Sequence, residues 1–260
     1  MLKDTAMKSQ KNLVAKQPHL SIVIPAYCEE KRIDSTLDTL SQFLDHDPFF
    51  KSKTVEVIVV VADSPDKTLD TVKMKKHLFK HFRLVRAGPK VGKGYDVREG
   101  MLRARGKFIM FMDADLATPL EHLEEFYKAC QRGNEVVIGT RNLAKHHLNI
   151  IRRSISIFGN ILFQIVGGMW IEDSQCGFKM FNECASQVCF SKMTIYGWSF
   201  DMEILTIAKT NSISIKTIRI DDWSDVPGGT FNENTLLIIF RSLRDLGYIA
   251  KNRLIGTYRH

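Results

Sequence analysis

Two carboxylates and a scatter of basic residues are the parts of this chain that could do chemistry. Asp113 and Asp115 stand directly after an unbroken apolar run, Phe108 to Met112, with Pro119 shortly beyond. Residues two apart in extended backbone point the same way, so both carboxylates face one spot, where like charges repel. A hard divalent cation relieves that repulsion, and Mg²⁺ or Mn²⁺ is commonly shared between one or two carboxylates and substrate phosphates. The same residues also suit an ordinary turn of solvated aspartates. Ala87-Gly-Pro-Lys-Val-Gly-Lys-Gly94 sets Lys90 and Lys93 among glycines, which let a backbone approach a phosphate closely. It matches neither a P-loop nor a dinucleotide fingerprint, and a solvated loop accounts for it as well. Asp63, at the end of another apolar run, suits hydrogen bonds to a ribose or base, or a turn that caps the strand. Arg141, Arg152 and Arg153 have the side chain that grips phosphate with two hydrogen bonds, and in so basic a chain they also suit plain surface charge.

The elements around them read as an α/β domain. The run at 108–112 is short and continuously apolar, as a strand buried on both faces must be. Ligands of open α/β sheets bind beyond the carboxyl ends of such strands. Further strands are expected at 20–25, 55–61 and 82–86, with helices after 33, over 68–79 and from the glycine loop to about 105. That β-α-β-α-β rhythm predicts a parallel sheet with helices on both faces. After Pro119 come a helix carrying Leu123, Phe126 and Tyr127 and a strand at 135–139. A helix from about 152, a loop at 173–179 leading into a strand, a helix opened by Trp198 to Glu203, and a strand at 213–220 follow. The division expected is a flexible basic segment 1–19, a single domain 20–232 and a basic amphipathic C-terminal helix 233–260. Within the domain, 20–120 is the nucleotide-binding half and 121–232 the acceptor-binding half.

A chain of 260 residues with 44% hydrophobic and 25% charged residues can bury a sizeable core. The net charge of +8 favours phosphate-bearing partners: nucleic acid, anionic lipid or a nucleotide. A nucleic-acid module would interleave exposed aromatics with lysines, whereas these aromatics sit mostly in apolar runs, so no nucleic-acid partner is expected. Five scattered cysteines without a CxxC pair point to reduced thiols. No signal peptide is visible. The uncharged stretch 154–171 is too polar for a confident span and reads as a core helix or one lying in a membrane interface. Leu236, Leu237, Ile239, Phe240, Leu243 and Leu246, followed by Arg241, Arg244, Lys251 and Arg253, would suit an anionic lipid surface. Nucleotidyl transfer would want a glycine-rich loop with lysine directly after the first strand, where Ala26-Tyr-Cys-Glu29 stands instead.

Six motifs occur in one order: Pro25-Ala-Tyr-Cys-Glu-Glu30, Gly92-Lys-Gly94, Asp113-Ala-Asp115, Gly139-Thr-Arg141, Asp173-Ser-Gln-Cys-Gly-Phe-Lys179 and Trp198-Ser-Phe-Asp-Met-Glu203. From about residue 20 to 225 the chain thereby resembles the inverting GT-A glycosyltransferases. It looks most like the dolichyl-phosphate β-glucosyltransferases, with the dolichyl-phosphate mannose synthases next. The resemblance implies a GT-A fold with a mostly parallel mixed sheet. It implies metal-dependent transfer of a hexose, glucose from UDP-glucose, onto a dolichyl or polyprenyl phosphate at the cytoplasmic face of a membrane. By position it implies a nucleotide site of Pro25, Ala26, Tyr27, Glu29, Asp63, Lys93, Asp113, Ala114 and Asp115, with Mg²⁺ or Mn²⁺ on Asp113 and Asp115. It puts Arg141, Arg152 and Arg153 at the acceptor phosphate. Asp173 and Gln175 join Asp115 beside the reacting sugar, and Trp198, Asp201 and Glu203 are the next nearest.

Several positions depart from the family pattern. Val61-Ala-Asp-Ser64 replaces the customary acidic pair after the second strand. Ala117 stands where mannose synthases tend to carry Gln, as in the glucosyl branch, while Gly228-Gly-Thr-Phe231 lacks that branch's lysine. No N-terminal anchor of the eukaryotic type is visible. A GDP-mannose-dependent enzyme, or a soluble relative with another acceptor, is the alternative.

Overall fold

The computed structural model describes residues 17–141, 164, 166–224 and 235–259, of which 235–239 are described as backbone only. Seven strands form one sheet: β1 (Leu20–Ala26), β2 (Val55–Ala62), β3 (His81–Gly88), β4 (Phe108–Met112), β5 (Val136–Arg141), β6 (Phe178–Asn182) and β7 (Ile215–Ile220). Their order is β3-β2-β1-β4-β6-β5-β7. All pairings are parallel except those of β6, which runs antiparallel between β4 and β5. The expected mostly parallel, mixed α/β sheet is therefore what forms.

Alternation along the strands divides the core in two. On one face Val23, Ile58, Val60, Phe111, Ile138 and Phe181 are covered by α3 (Lys93–Met101), α5 (Glu183–Lys192), α6 (Phe200–Thr210) and part of α7 (Thr235–Leu254). On the other, Ile22, Ile24, Val57, Val59, Met110 and Met112 are covered by α1 (Ile33–His46), α2 (Thr68–Lys75) and α4 (Leu123–Gln131). Helix α1 shows the sequence logic plainly: Ile33, Leu37 and Leu40 lie on one stripe and are fully buried. Each such side chain contributes about 1.5–3 kcal/mol of burial. Covered on both faces, β4 is continuously apolar, and β1 is so but for Ser21, whose buried hydroxyl donates to Glu56 of β2 at 2.6 Å; the loops turn polar where the strands end, at Tyr27 and Asp113.

Three expectations change in detail. The helix after Pro65 stops at Lys75, and a single 3-10 turn, Lys76–Leu78, carries the chain to β3. Strand β5 runs on to Arg141, which is a strand-end residue and not a loop residue. The C-terminal segment is no appendage, because Leu246, Ile249 and Tyr258 are buried in the core. The helix expected from about 152 falls mainly outside the described residues, as do Arg152 and Arg153. Its end is helical at Gln164, Val166 and Gly167. Among the described residues no helix is long and apolar enough to cross a membrane.

Candidate active site

The carboxyl ends of β1, β2 and β4 carry the first half of the site. The loops after β1 and β2 are stitched together by side chains. Cys28 N–H donates to Ser64 Oγ at 3.0 Å, Glu29 N–H to Thr68 Oγ1 at 2.8 Å, and Glu30 N–H to Asp66 Oδ2 at 3.1 Å. Asp66 also accepts from the Ser64 hydroxyl at 2.5 Å and from Thr68 Oγ1 at 2.7 Å, so one carboxylate fixes both loops. This holds Tyr27 and Glu29 at the mouth of the sheet. Asp63 stays outside the lattice: its side chain is 54% exposed and faces Arg86 at 3.6 Å. Ser64 and Asp66, and not Asp63, tie this turn to the loop after β1.

Asp113 begins directly where β4 ends, and Asp113 N–H donates to Gly177 O at 3.2 Å. A Cβ at Gly177 would overlap the Asp113 carboxylate, so only glycine lets the 173–177 loop run this close. Lys93 Nζ lies 2.5 Å from Asp113 Oδ1 and 5.1 Å from the centre of the Trp198 ring. Burial pushes the Lys93 ammonium down, and the charges of Asp113 and Asp201 more than reverse that. Asp115 Oδ1 accepts from Ala117 N–H at 3.1 Å, while Thr36 of α1 donates to Ala114 O at 2.5 Å and pins the turn. Glu29 joins the group. Burial raises its carboxyl pKa and the charges of Asp115 and Asp113 add to that, against the opposing Arg32 at 2.7 Å.

These residues fit a divalent cation of a particular kind. Among the described residues no three acidic, thiol or imidazole side chains converge to cage a metal unaided. Two strand-end carboxylates could supply one or two oxygens, leaving the remaining positions to water and a substrate diphosphate, as Mg²⁺ sites commonly do.

The glycine loop is built for packing. A Cβ at Gly92 would overlap the carbonyl of Tyr196, and Gly94 N–H donates to that same carbonyl at 2.9 Å. The glycines let this loop lie against residues 195–200, which places Lys93 beside Asp113. Lys90 sits 3.8 Å over the Tyr27 ring and 3.8 Å from Asp96. Asp96 is 1% exposed, and burial raises its pKa to about 6.

The second half of the site comes from β5, β6 and α6. Arg141 Nε and Nη2 grip the two oxygens of Asp173 at 2.6 and 2.9 Å, and Arg141 N–H donates to the same carboxylate at 3.1 Å. Burial pushes the Asp173 carboxyl up, yet the hydrogen bonds and charge of Arg141 hold it below the ordinary value. The guanidinium stacks 5.1 Å from the Trp223 ring centre and feels the charge of Asp113. Asp173 also accepts from Gln175 N–H at 3.1 Å. This carboxylate, expected beside the sugar, orients Arg141, and Gln175 is exposed next to it.

Asp201 is buried and bound to Lys179, whose Nζ lies 2.5 Å from Asp201 Oδ1 and donates to Cys176 O at 2.5 Å. Burial raises the Asp201 carboxyl pKa, against the charges of Lys179 and Lys93. The expectation that Glu203 lies near the sugar needs correction. Its fully buried carboxylate accepts from Thr194 N–H, Thr194 Oγ1, Ile195 N–H and Tyr258 Oη, between 2.6 and 2.8 Å, and has no lone pair to spare for a ligand. Its task is to hold the 194–199 loop that carries Trp198.

Sequence reasoning missed Lys179, Trp223, Asp66 and Asp96. Lys179 offered a signal, an ammonium inside an otherwise apolar strand that requires a buried acid. Trp223 offered none.

The sequence pattern of glycosyl transferase family 2 matches residues 21–188, which include β1 from its second residue, β2 to β6, Asp113, Asp115, Arg141 and Asp173. The chain belongs to that family. It is similar to a dolichyl-phosphate beta-glucosyltransferase of Trichomonas vaginalis, with 31% identity over 82% of this chain and 68% of the relative. It is also similar to the dolichyl-phosphate beta-glucosyltransferase of Saccharomyces cerevisiae, with 33% identity over 92% of this chain and 76% of that one. In fold it resembles glucosyl-3-phosphoglycerate synthase from Mycobacterium tuberculosis in its complex with UDP. The TM-score is 0.65 at 15% identity, over 90% of this chain and 80% of the other. The same synthase with Mg²⁺ and UDP gives 0.61 at 16% identity, over 91% and 79%. As a member of this family the chain is a glycosyltransferase, and the GT-A architecture expected from its motifs is the one it adopts.

Proposed function

We propose that this enzyme transfers glucose from UDP-glucose, with inversion, to a dolichyl or polyprenyl phosphate, using Mg²⁺ or Mn²⁺ held by Asp113 and Asp115. The observation that carries the reading is the meeting of two unlike groups at one end of the sheet. Asp113, Asp115, Glu29 and Lys93 suit a metal-bound nucleoside diphosphate, and Arg141, clamped by Asp173, suits a phosphomonoester. The names of the relatives supply the sugar and the acceptor, and Ala117 agrees with the glucosyl branch over GDP-mannose use.

The chemistry asks little of a base. A phosphomonoester has its second pKa near ~6, so the attacking oxygen is already largely anionic at neutral pH. The metal, when bound, offsets negative charge gathering on the departing diphosphate. Lys93 adds a fixed positive charge on the same side, and Arg141 orients the acceptor oxygen. Asp173 acts through Arg141 by locking the plane of its guanidinium. Tyr27 and Glu29 line the nucleotide side.

A lipid phosphate lies in the headgroup plane, so the enzyme must reach a membrane surface, at its cytoplasmic face on this reading. Helix α7 and the turn after it offer exposed Phe240, Leu243, Tyr248, Leu254 and Ile255 on one side, with Arg244 and Lys251 among them. Each basic residue near an anionic surface contributes about 1 kcal/mol, weakened by salt. The chain should therefore pellet with anionic liposomes at low salt and be partly released at high salt. Absence of pelleting at every salt concentration would remove the membrane part of the proposal.

The donor part is tested by calorimetry with UDP. Binding in Mn²⁺ should be lost in EDTA and in Asp113→Asn, and equal affinity in all three cases would refute the metal assignment.

A further inference from the structure

The loop after β4 and the segment after β7 meet over the site, although β6 and β5 lie between their strands in the sheet. The last register pair of β5 and β7 is Arg141 with Ile220, so the chain leaves β7 beside Arg141. Three contacts then tie down residues 222–224. Asp222 Oδ1 lies 2.6 Å from His122 Nε2, just past the Asp115 turn. The Trp223 ring has its centre 5.1 Å from the guanidinium carbon of Arg141. Ser224 N–H donates to Ala117 O at 3.1 Å.

Ala117 is the residue whose own N–H donates to Asp115 Oδ1. Between the two, Leu116 has a φ of 54°, the left-handed region, which a residue with a Cβ keeps only where its surroundings hold it there. Ser224 supplies part of that hold through the Ala117 carbonyl, and Leu116 and Trp223 pack against the same core. One run of three residues thus touches both the turn that carries Asp115 and the arginine on the other side of the site.

We propose that residues 222–224 are a strap that sets the Asp115 turn and Arg141 in register, with Asp222 and Trp223 as positioning residues. The inference rests on the donor and acceptor reading above and adds what fixes the two half-sites against each other. Asp173 grips one edge of the Arg141 guanidinium and Trp223 backs its face, and edge and face together leave the group one orientation. The Asp115 turn carries the leaving diphosphate on that reading, and Arg141 carries the attacking phosphate. An error in their relative placement therefore appears in the rate of transfer and not in the affinity for UDP, and a misplacement of 1 Å can cost about 10²-fold.

The test compares Trp223→Leu, Trp223→Phe and Asp222→Ala in the full chain. Loss of the ring face in Trp223→Leu should lower kcat for transfer to a polyprenyl phosphate about tenfold and leave UDP affinity in Mn²⁺ within about twofold. Full UDP-binding stoichiometry by calorimetry would show that the variant is folded. Trp223→Phe restores a ring face and should recover most of the rate. Asp222, with 59% of its side chain exposed, tolerates replacement, and Asp222→Ala should lower kcat about threefold with UDP affinity unchanged. Together with Trp223→Leu it should cost less than the product of the two effects, because both act through one strap. A second readout needs neither metal nor turnover: in the metal-free enzyme, peptides covering 113–118 should exchange amide hydrogens faster in Trp223→Leu and Asp222→Ala than in the wild type, while those of β1 should not. Wild-type kcat in both variants, a loss of UDP-binding sites equal to the loss of kcat, or unchanged exchange at 113–118 would each overturn the strap and leave the donor and acceptor reading standing. If the wild-type enzyme binds no UDP in Mn²⁺ or transfers to no lipid phosphate, that reading fails, and the exchange result still decides whether the segment holds the turn.

Discussion

The two halves of the sheet handle charge in opposite ways. At the ends of β1, β2 and β4 the charged groups gather at a mouth: Asp113 keeps 32% of its side chain exposed, and Glu29 and Asp115 stand near it with Lys93 as the counter-ion. At β5, β6 and α6 they are paired off inside: Arg141 with Asp173, Lys179 with Asp201, and Glu203 with Thr194, Ile195 and Tyr258. The first arrangement leaves carboxylate field for a ligand to satisfy, and the second uses its field to hold loops in place. Removing a charge should therefore impair chemistry in the first half and, Arg141 apart, stability in the second.

The largest effect should follow Asp113→Asn, which would lower the transfer rate by about 10²–10³ as transition-state charge loses its support, with an unchanged melting temperature. A melting temperature that fell in step with activity would place Asp113 among the structural pairs. Next comes Lys179→Met. The buried Asp201 would lose its counter-ion, at a cost of about 3 kcal/mol or more in urea unfolding. Adding Asp201→Asn should recover part of that, and a double variant no more stable than the single one would break the pairing argument. Tyr258→Phe removes one donor to the buried Glu203 and should cost about 1–2 kcal/mol, with weaker UDP affinity only if the 194–199 loop shifts.

The smallest effect separates the halves by pH. Asp96 lies under Lys90 in the first half, and its folded pKa of about 6 stands above the ordinary 3.8. The folded state then binds the extra proton, so this group's stabilisation is complete below 3.8 and disappears as pH rises through 6. Asp173, held below its ordinary value by Arg141 against the effect of burial, has the opposite sign: its stabilisation is present above 3.8 and lost as pH falls below it. Asp96→Asn should flatten the decline in stability between pH 4 and 7 by about 1 kcal/mol, because the change also removes the partner of Lys90. An unchanged slope would show that the Asp96 carboxyl does not titrate in that range.

The first half was largely legible in the sequence, because each of its strands is a short apolar run ending in a polar residue, and the ends of such strands are where ligands bind. Asp113 stands where that rule puts a ligand group, but β4 ends at Met112 and Asp115 lies in the turn that follows, so the two-residue period of a strand does not carry from one to the other. The second half was less so. Nothing in Phe178–Asn182 reveals that β6 runs antiparallel between β4 and β5, since an apolar run carries no direction. Asp173, Asp201 and Glu203 looked like site acids because each is an acid in a motif. Their partners Arg141, Lys179 and Tyr258 are 32, 22 and 55 residues away, and only the fold shows that those acids are already engaged. The glycine loop suited a phosphate cradle or a solvated loop from its sequence, and the fold adds a third reason for Gly92, whose small size answers to the carbonyl of Tyr196.

The central claim is that the mouth of the first half holds a metal-bound UDP-glucose while the second half presents a lipid phosphate. The most direct measurement supplies the purified enzyme with equal amounts of UDP-glucose and GDP-mannose, a polyprenyl phosphate and Mn²⁺, with the two sugars carrying different isotopes, and reads the product by mass. The account predicts a hexosyl phospholipid bearing the glucose label, absent when EDTA replaces Mn²⁺. A product bearing the mannose label, or one formed equally well in EDTA, would contradict it.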